Sequence, residues 1–182
     1  RHYLDLGISA NTRVNNQNLL HFAGSKEVAE LLIAKGADVK ANDAFRFTPL
    51  HFAAESERIE VAQTLIAQVA DINAQRQREL NFNMFTPVWT PRLLRSLPGN
   101  SMSTTPLFFA RSPEMAKFLI AKGADVNAKN KNGMTPLHIT KSKAIAQILL
   151  AAGTKINIKE ENARNGKRTT LLHNAAKIGF KE

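Results

Sequence analysis

Cysteine is absent from these 182 residues, which excludes a disulfide framework and a thiolate metal site. A reducing compartment and simple avoidance of cysteine both fit that absence. No run approaches the roughly 18 apolar residues of a membrane-spanning helix, and no signal-peptide pattern opens the sequence. Nor is there a Gly-rich phosphate loop, a His-Glu-x-x-His helix or a nucleophile elbow. No local arrangement of Ser, His or Asp would tune a nucleophile, so the expectation is a non-enzyme with no cofactor, no metal and no small-molecule substrate. An initiator Met is missing, and the sequence stops inside a helical pattern, LLHNAAKIGFKE. A piece of a longer or processed protein is therefore expected.

Acidic residues are also scarce, at 15 Asp and Glu against 25 Lys and Arg, for a net charge of +10. The imbalance is confined to one half. Residues 1–91 carry 9 basic and 10 acidic groups, whereas residues 92–182 carry 16 and 5. A basic half attracts acidic proteins, nucleic acid or an anionic membrane surface. The plainer reading is that Lys and Arg solvate the outer face and oppose aggregation.

What the sequence does have is self-similarity. EVAELLIAKGAD (Glu27–Asp38) returns as EVAQTLIAQVAD from Glu60, EMAKFLIAKGAD from Glu114 and AIAQILLAAGTK from Ala144. The starts are 33, 54 and 30 residues apart, and a period near 30–35 is the mark of a stacked-repeat architecture. Val28, Val61, Met115 and Ile145 share one column, Ala29, Ala62, Ala116 and Ala146 the next, and Leu32, Leu65, Leu119 and Leu149 another. On a helix these columns make one apolar stripe, with small residues that admit a neighbouring backbone. Gly36, Gly123 and Gly153 stand where a helix end takes a left-handed residue. Val69 stands there in the second copy, so that turn is expected to be strained or closed in another way.

A second motif precedes each copy: NLLHFA (Asn18–Ala23), TPLHFA (Thr48–Ala53), TPLFFA (Thr105–Ala110) and TPLHIT (Thr135–Thr140), with TLLHNA from Thr170. Thr followed by Pro is a strong helix start. Each unit is thus a short helix, a tight turn, a longer helix and a connecting loop. Six residues separate the motif's His or Phe from the start of the long copy in three units, against nine between His51 and Glu60. The first helix of the short units should therefore shrink to one or two turns, with Ser25, Ser112 and Ser142 near the start of the long helix.

The chain resembles the ankyrin repeat family in these motifs. Thr-Pro-Leu-His is intact at Thr48–His51 and Thr135–His138, and Gly-Ala-Asp-Val-Asn-Ala at Gly123–Ala128, while Gly36–Ala41 differs by Lys40 alone. The resemblance implies an all-α solenoid of about five stacked helix pairs, joined by finger loops. It divides residues 1–182 into one repeat domain: a partial repeat 1–18, repeats 19–47 and 48–75, an insertion 76–104, repeats 105–134 and 135–169, and a partial repeat 170–182. His21, His51, His138 and His173 recur at one repeat position that Phe108 fills in another copy, so they belong to the scaffold. In the family this His is similar to one that hydrogen-bonds the turn. Asparagines placed as Asn73 and Asn127 are, in some members, substrates of an asparaginyl hydroxylase.

The resemblance further implies protein binding through the concave face and fingers. The expected contact residues are Phe45, Arg46 and Phe47 on one finger, and Lys129, Lys131 and Asn132 on another. Between them lies the insertion with Arg78, Phe82, Phe85, Trp89, Arg92 and Arg95, rich in the Arg and aromatics of binding hot spots. Folding of those aromatics onto the helices as a satellite core is the competing reading, with disorder of the insertion and a decayed repeat at Thr86–Trp89 as others. The partner is expected to be a protein, an acidic one by charge, met by a monomer. The Asn/Lys-rich, short-repeat style resembles ankyrin proteins of intracellular bacteria or AT-rich protists, which implies a cytoplasmic scaffold or an effector delivered into a host cell. Two alternatives stand beside this: nucleic-acid or membrane binding by the basic half, and a targeting module for an enzyme elsewhere on a longer chain.

Overall fold

The computed structural model describes residues 9–14, 17–75 and 104–155. Two 2-residue strands, β1 (Arg13–Val14) and β2 (Gln17–Asn18), pair antiparallel in a small finger hairpin, with Arg13 opposite Asn18. Eight helices follow among the described residues, in four short–long pairs. They are α1 (Leu19–Phe22) with α2 (Lys26–Ala34), α3 (Pro49–Glu55) with α4 (Ile59–Ala67), α5 (Pro106–Phe109) with α6 (Pro113–Ala121), and α7 (Pro136–Ile139) with α8 (Lys143–Ala151). The fifth expected pair, from Thr170, lies outside the described residues. This is the all-α repeat solenoid that the sequence pattern predicts.

The motif's own chemistry decides the form of each short helix. Where Thr-Pro-Leu-His is intact, in α3 and α7, the Thr and His close a capping box and the turn is α-helical. His51 Nδ1 accepts the Thr48 N–H at 3.2 Å, and His138 Nδ1 accepts the Thr135 N–H at 3.1 Å. Where the motif is broken, by Asn18-Leu19 in α1 and by Phe108 in α5, the element is a single 3-10 turn. Three long helices begin at a serine: Ser25, Ser112 and Ser142 each accept the N–H three residues on, which satisfies one of the free amides of the first turn. Helix α4 starts at Arg58 without a side-chain cap.

The core is the set of repeated columns. Ala29, Ala62, Ala116 and Ala146 are buried, as are Leu32, Leu65, Leu119 and Leu149. Val61, Met115 and Ile145 join them, but their column-mate Val28 is 45% exposed. Truncation of any of those leucines to Ala would cost about 2–5 kcal/mol. No layer has a centre of its own, because each short helix packs on the short helices before and after it.

The repeats on either side of the insertion are direct neighbours. Helix α3 packs on α5 as it does on α1. The Phe47 ring meets Phe109 edge-on, with centroids 5.6 Å apart. His51 Nε2 lies 3.0 Å from the Thr104 carbonyl, matching His21 Nε2 and the Phe47 carbonyl one repeat earlier, also at 3.0 Å. Because His51 Nδ1 accepts the Thr48 N–H, the ring proton sits on Nε2 and is donated across the repeat boundary. Among the described residues, the layers before residue 76 and after residue 103 are thus in direct contact.

Candidate protein-interaction surface

Two described fingers are built the same way. In the first, Asp43 Oδ1 accepts the N–H groups of Phe45 and Phe47, both at 2.8 Å, while Asp43 N–H donates to the Phe47 carbonyl at 2.9 Å. In the second, Asn130 Oδ1 accepts from Asn132 at 2.9 Å and Met134 at 3.0 Å, and Asn130 N–H donates to the Met134 carbonyl at 2.9 Å. Asp43 and Asn130 are buried beneath their turns. Burial raises the Asp43 carboxyl above the ordinary 3.8, against the pull of the Phe47 and Phe45 amides. The hairpin β1–β2 braces this finger: Gln17 Nε2 donates to Asp43 Oδ2 at 3.3 Å and Arg13 to the Asn42 carbonyl at 3.5 Å.

The geometry separates the predicted contact residues. Arg46 is exposed at the tip and Phe45 half-buried beside it. Phe47 is a correction: its side chain is 0% exposed and packs edge-on against His51, Phe52 and Phe109. The Asp43 turn carries the chain back into the stack at that residue, so Phe47 is core and presents nothing to a partner. On the second finger Lys129 and Lys131 are exposed and Asn132 half-buried. Arg78, Phe82, Phe85, Trp89, Arg92 and Arg95 lie outside the described residues.

Arg46 has a φ of +62°, and its counterpart in the second finger is Gly133 at +74°. A left-handed residue with a side chain costs about 1–2 kcal/mol relative to glycine's free access to that region. Val69 is the same kind of exception one turn along, at +57° where Gly36, Gly123 and Gly153 lie at +83°, +95° and +86°. Its helix end is closed by the same bond as the others: Ala70 N–H reaches the Leu65 carbonyl at 3.0 Å, as Ala37 reaches Leu32 at 2.9 Å. Val69 therefore keeps the geometry and bears the strain.

Below the fingers runs a ladder of asparagines that the sequence reading did not assign. Asn73 donates to the Gly123 carbonyl at 3.2 Å and accepts the Asp125 N–H at 2.8 Å, bracketing the loop of the next repeat. Asn11 brackets Gly36 and Asp38, at 2.8 Å for both bonds, and Asn127 brackets Gly153 and Lys155, at 3.4 and 2.8 Å. For Asn73 and Asn127 the spacing of four residues from the left-handed Val69 and Gly123 was the available signal. The rung at Lys40 is missing, since an ammonium cannot accept the N–H of Asp71. That break falls on the junction where Val69 replaces glycine.

Among the described residues no three His, Asp or Glu side chains converge on a metal site, and no helix is long and apolar enough to cross a membrane. The family model described as "Ankyrin repeats (3 copies)" matches residues 2–76 and 91–160. The chain belongs to the ankyrin repeat family. Over 46 residues it is 41% identical to an ankyrin repeat protein of fowlpox virus (strain NVSL), a match covering 25% of this chain and 7% of that protein. Ankyrin arrays of this kind are generally non-catalytic modules for protein–protein interaction.

Proposed function

We propose that this ankyrin array binds a partner protein through its finger tips and the insertion between its second and third full repeats. The observation that carries this is Arg46. An exposed cation stands at a left-handed tip where the sister finger uses glycine, and strained backbone positions cluster at ligand-contacting sites. Phe45 offers apolar area beside it. In this reading the insertion, whose flanking residues Gln75 and Thr104 belong to neighbouring repeats, adds its Arg and aromatic residues to the contact made by the Phe45–Arg46 and Lys129–Asn132 fingers. Presentation on a preformed stack leaves few side chains to order on binding.

The excess of basic groups in residues 92–182 supports an acidic partner. Monomeric behaviour, the repeat boundaries given above, a non-catalytic role for the whole protein and a place as a cytoplasmic or host-delivered scaffold complete the reading. Affinity capture from cell lysate at physiological salt tests it, with the intact chain beside Arg46→Gly and beside a variant carrying a short Gly/Ser linker for residues 78–101. A protein held by the intact chain and weakened by both changes supports the reading. Equal retention by all three moves the contact elsewhere. Recovery of nucleic acid alone, released steeply by salt, replaces a protein partner with the polyanion that the basic half would attract.

A further inference from the structure

At the end of the stack opposite the fingers, each short helix turns into its long partner, and the three described junctions are closed differently. Between the first and second pairs, Arg58 Nη1 donates to the Ala23 carbonyl at 2.8 Å. Between the second and third, the longer helix α3 fills the space itself. Ala54 and Glu55 are buried there, and Glu55 pairs with the Arg111 guanidinium at 2.9 Å. Glu57 accepts the Arg111 N–H at 2.6 Å and the Ser112 hydroxyl proton on its other oxygen.

Between the third and fourth pairs, nothing among the described residues takes that place. Helix α5 ends at Phe109, and the chain reaches Ser112 three residues sooner than the α3–α4 turn reaches Arg58. A cavity of about 470 Å³ opens here, with Leu107, Phe109, Ile139 and Ile145 in its walls and Lys141 and Ser142 among the polar residues that line it. Lys141 and Ser142 stand in the fourth repeat where Arg111 and Ser112 stand in the third. The Ser142 hydroxyl accepts the Ile145 N–H at 3.4 Å. Among the described residues, neither its proton nor the Lys141 N–H meets an acceptor.

We infer that this cavity receives an acidic turn from a partner protein. The turn is a small apolar residue followed by Glu-x-Glu, the chemistry that Ala54–Glu57 supplies one layer earlier. The small residue sits against Leu107 and Ile139. One carboxylate takes the Lys141 N–H and the Ser142 hydroxyl, as Glu57 takes those of Arg111 and Ser112. The other meets the Lys141 ammonium, as Glu55 meets the Arg111 guanidinium. Residues 104–155 carry eight Lys and Arg against two Asp and Glu, which complements such a segment. The site is separate from the fingers and does not depend on what they bind.

The test is an amide NMR titration of the full chain with an acetylated, amidated peptide copying residues Pro49–Arg58, beside the same peptide with both glutamates changed to Gln. Saturable shifts of the Lys141 and Ser142 amides are expected with the acidic peptide. Affinity should fall at least tenfold for the Gln peptide and for the Lys141→Glu chain, and stay unchanged for Lys35→Ala, an exposed cation at the end of α2. Lys141 is exposed, and the same spectra report whether each variant is folded. Equal response to both peptides, shifts centred on the fingers, or no loss in Lys141→Glu would overturn the inference. So would Lys141 and Ser142 amides that ignore the peptide in the intact chain and respond only after Glu160→Gln and Glu161→Gln, because the chain's own acidic segment would then fill the cavity.

Discussion

Val69 and Glu57 show how much one backbone position can carry. Both sit at positive φ, +57° and +58°, yet only Glu57 gains a partner by it, the Arg111 amide and Ser112 hydroxyl of the next repeat. Val69 is 75% exposed and gains no packing. Val69→Gly should therefore raise stability by about 1 kcal/mol, the relieved strain exceeding glycine's extra unfolded entropy. A higher urea midpoint with an unchanged slope is the expected reading. His138, like His21, has a pH signature. Burial holds its imidazole below the ordinary 6.5, so the folded chain keeps it neutral while the unfolded chain takes up a proton as the pH falls through that value. Its contribution is full above pH 6.5 and is lost as the pH falls below it. Asp43 acts with the opposite sign, since its raised pKa makes the folded carboxyl easier to protonate. His138→Phe, which copies the Phe108 of the preceding repeat, should remove the histidine's part and flatten the fall in melting temperature between pH 7.5 and 5.5.

At the scale of elements, most of the architecture was legible because the same residues recur in the same columns. The buried Ala and Leu columns, the serine starts of three long helices and the shortened first helices all follow from spacing and capping chemistry. Phe47 was misplaced because its direction depends on the buried Asp43 turn, whose hydrogen bonds join residues four apart and reverse the chain. The lock that Glu55 and Glu57 form with Arg111 and Ser112 was not legible either. It joins groups as far apart as Glu57 and Ser112, which only the stacking brings together. Glu57→Ala leaves the Ser112 hydroxyl and Arg111 amide to water and should cost about 2 kcal/mol, the scale of a charged hydrogen bond. The missing rung makes the converse prediction. Lys40→Asn supplies both halves of the bracket to the Val69–Asp71 loop and should add about 1 kcal/mol, read as a rise in the urea midpoint and as slower exchange of the Asp71 amide.

For the whole molecule, a solenoid's stability is nearly a sum of repeat and interface terms, so a long insertion is harmless if the layers beside it still touch. They do touch, through Phe47 and Phe109, His51 and the Thr104 carbonyl, and Asn73 and its bracket on Gly123 and Asp125. Lengthening a loop that closes an intact interface costs little, about 0.6 kcal/mol per doubling. The proposed binding role requires that residues 76–103 not be needed to hold the stack, whereas aromatics folded onto the helices would tie them to stability. Urea unfolding of the chain in which residues 78–101 become a short Gly/Ser linker separates the two most directly. One cooperative transition, with the midpoint of the intact chain or slightly above it, is the predicted result. A midpoint well below that of the intact chain, or a transition that splits in two, would show that the insertion is packing that joins the two halves of the array, and would contradict its place in the binding surface.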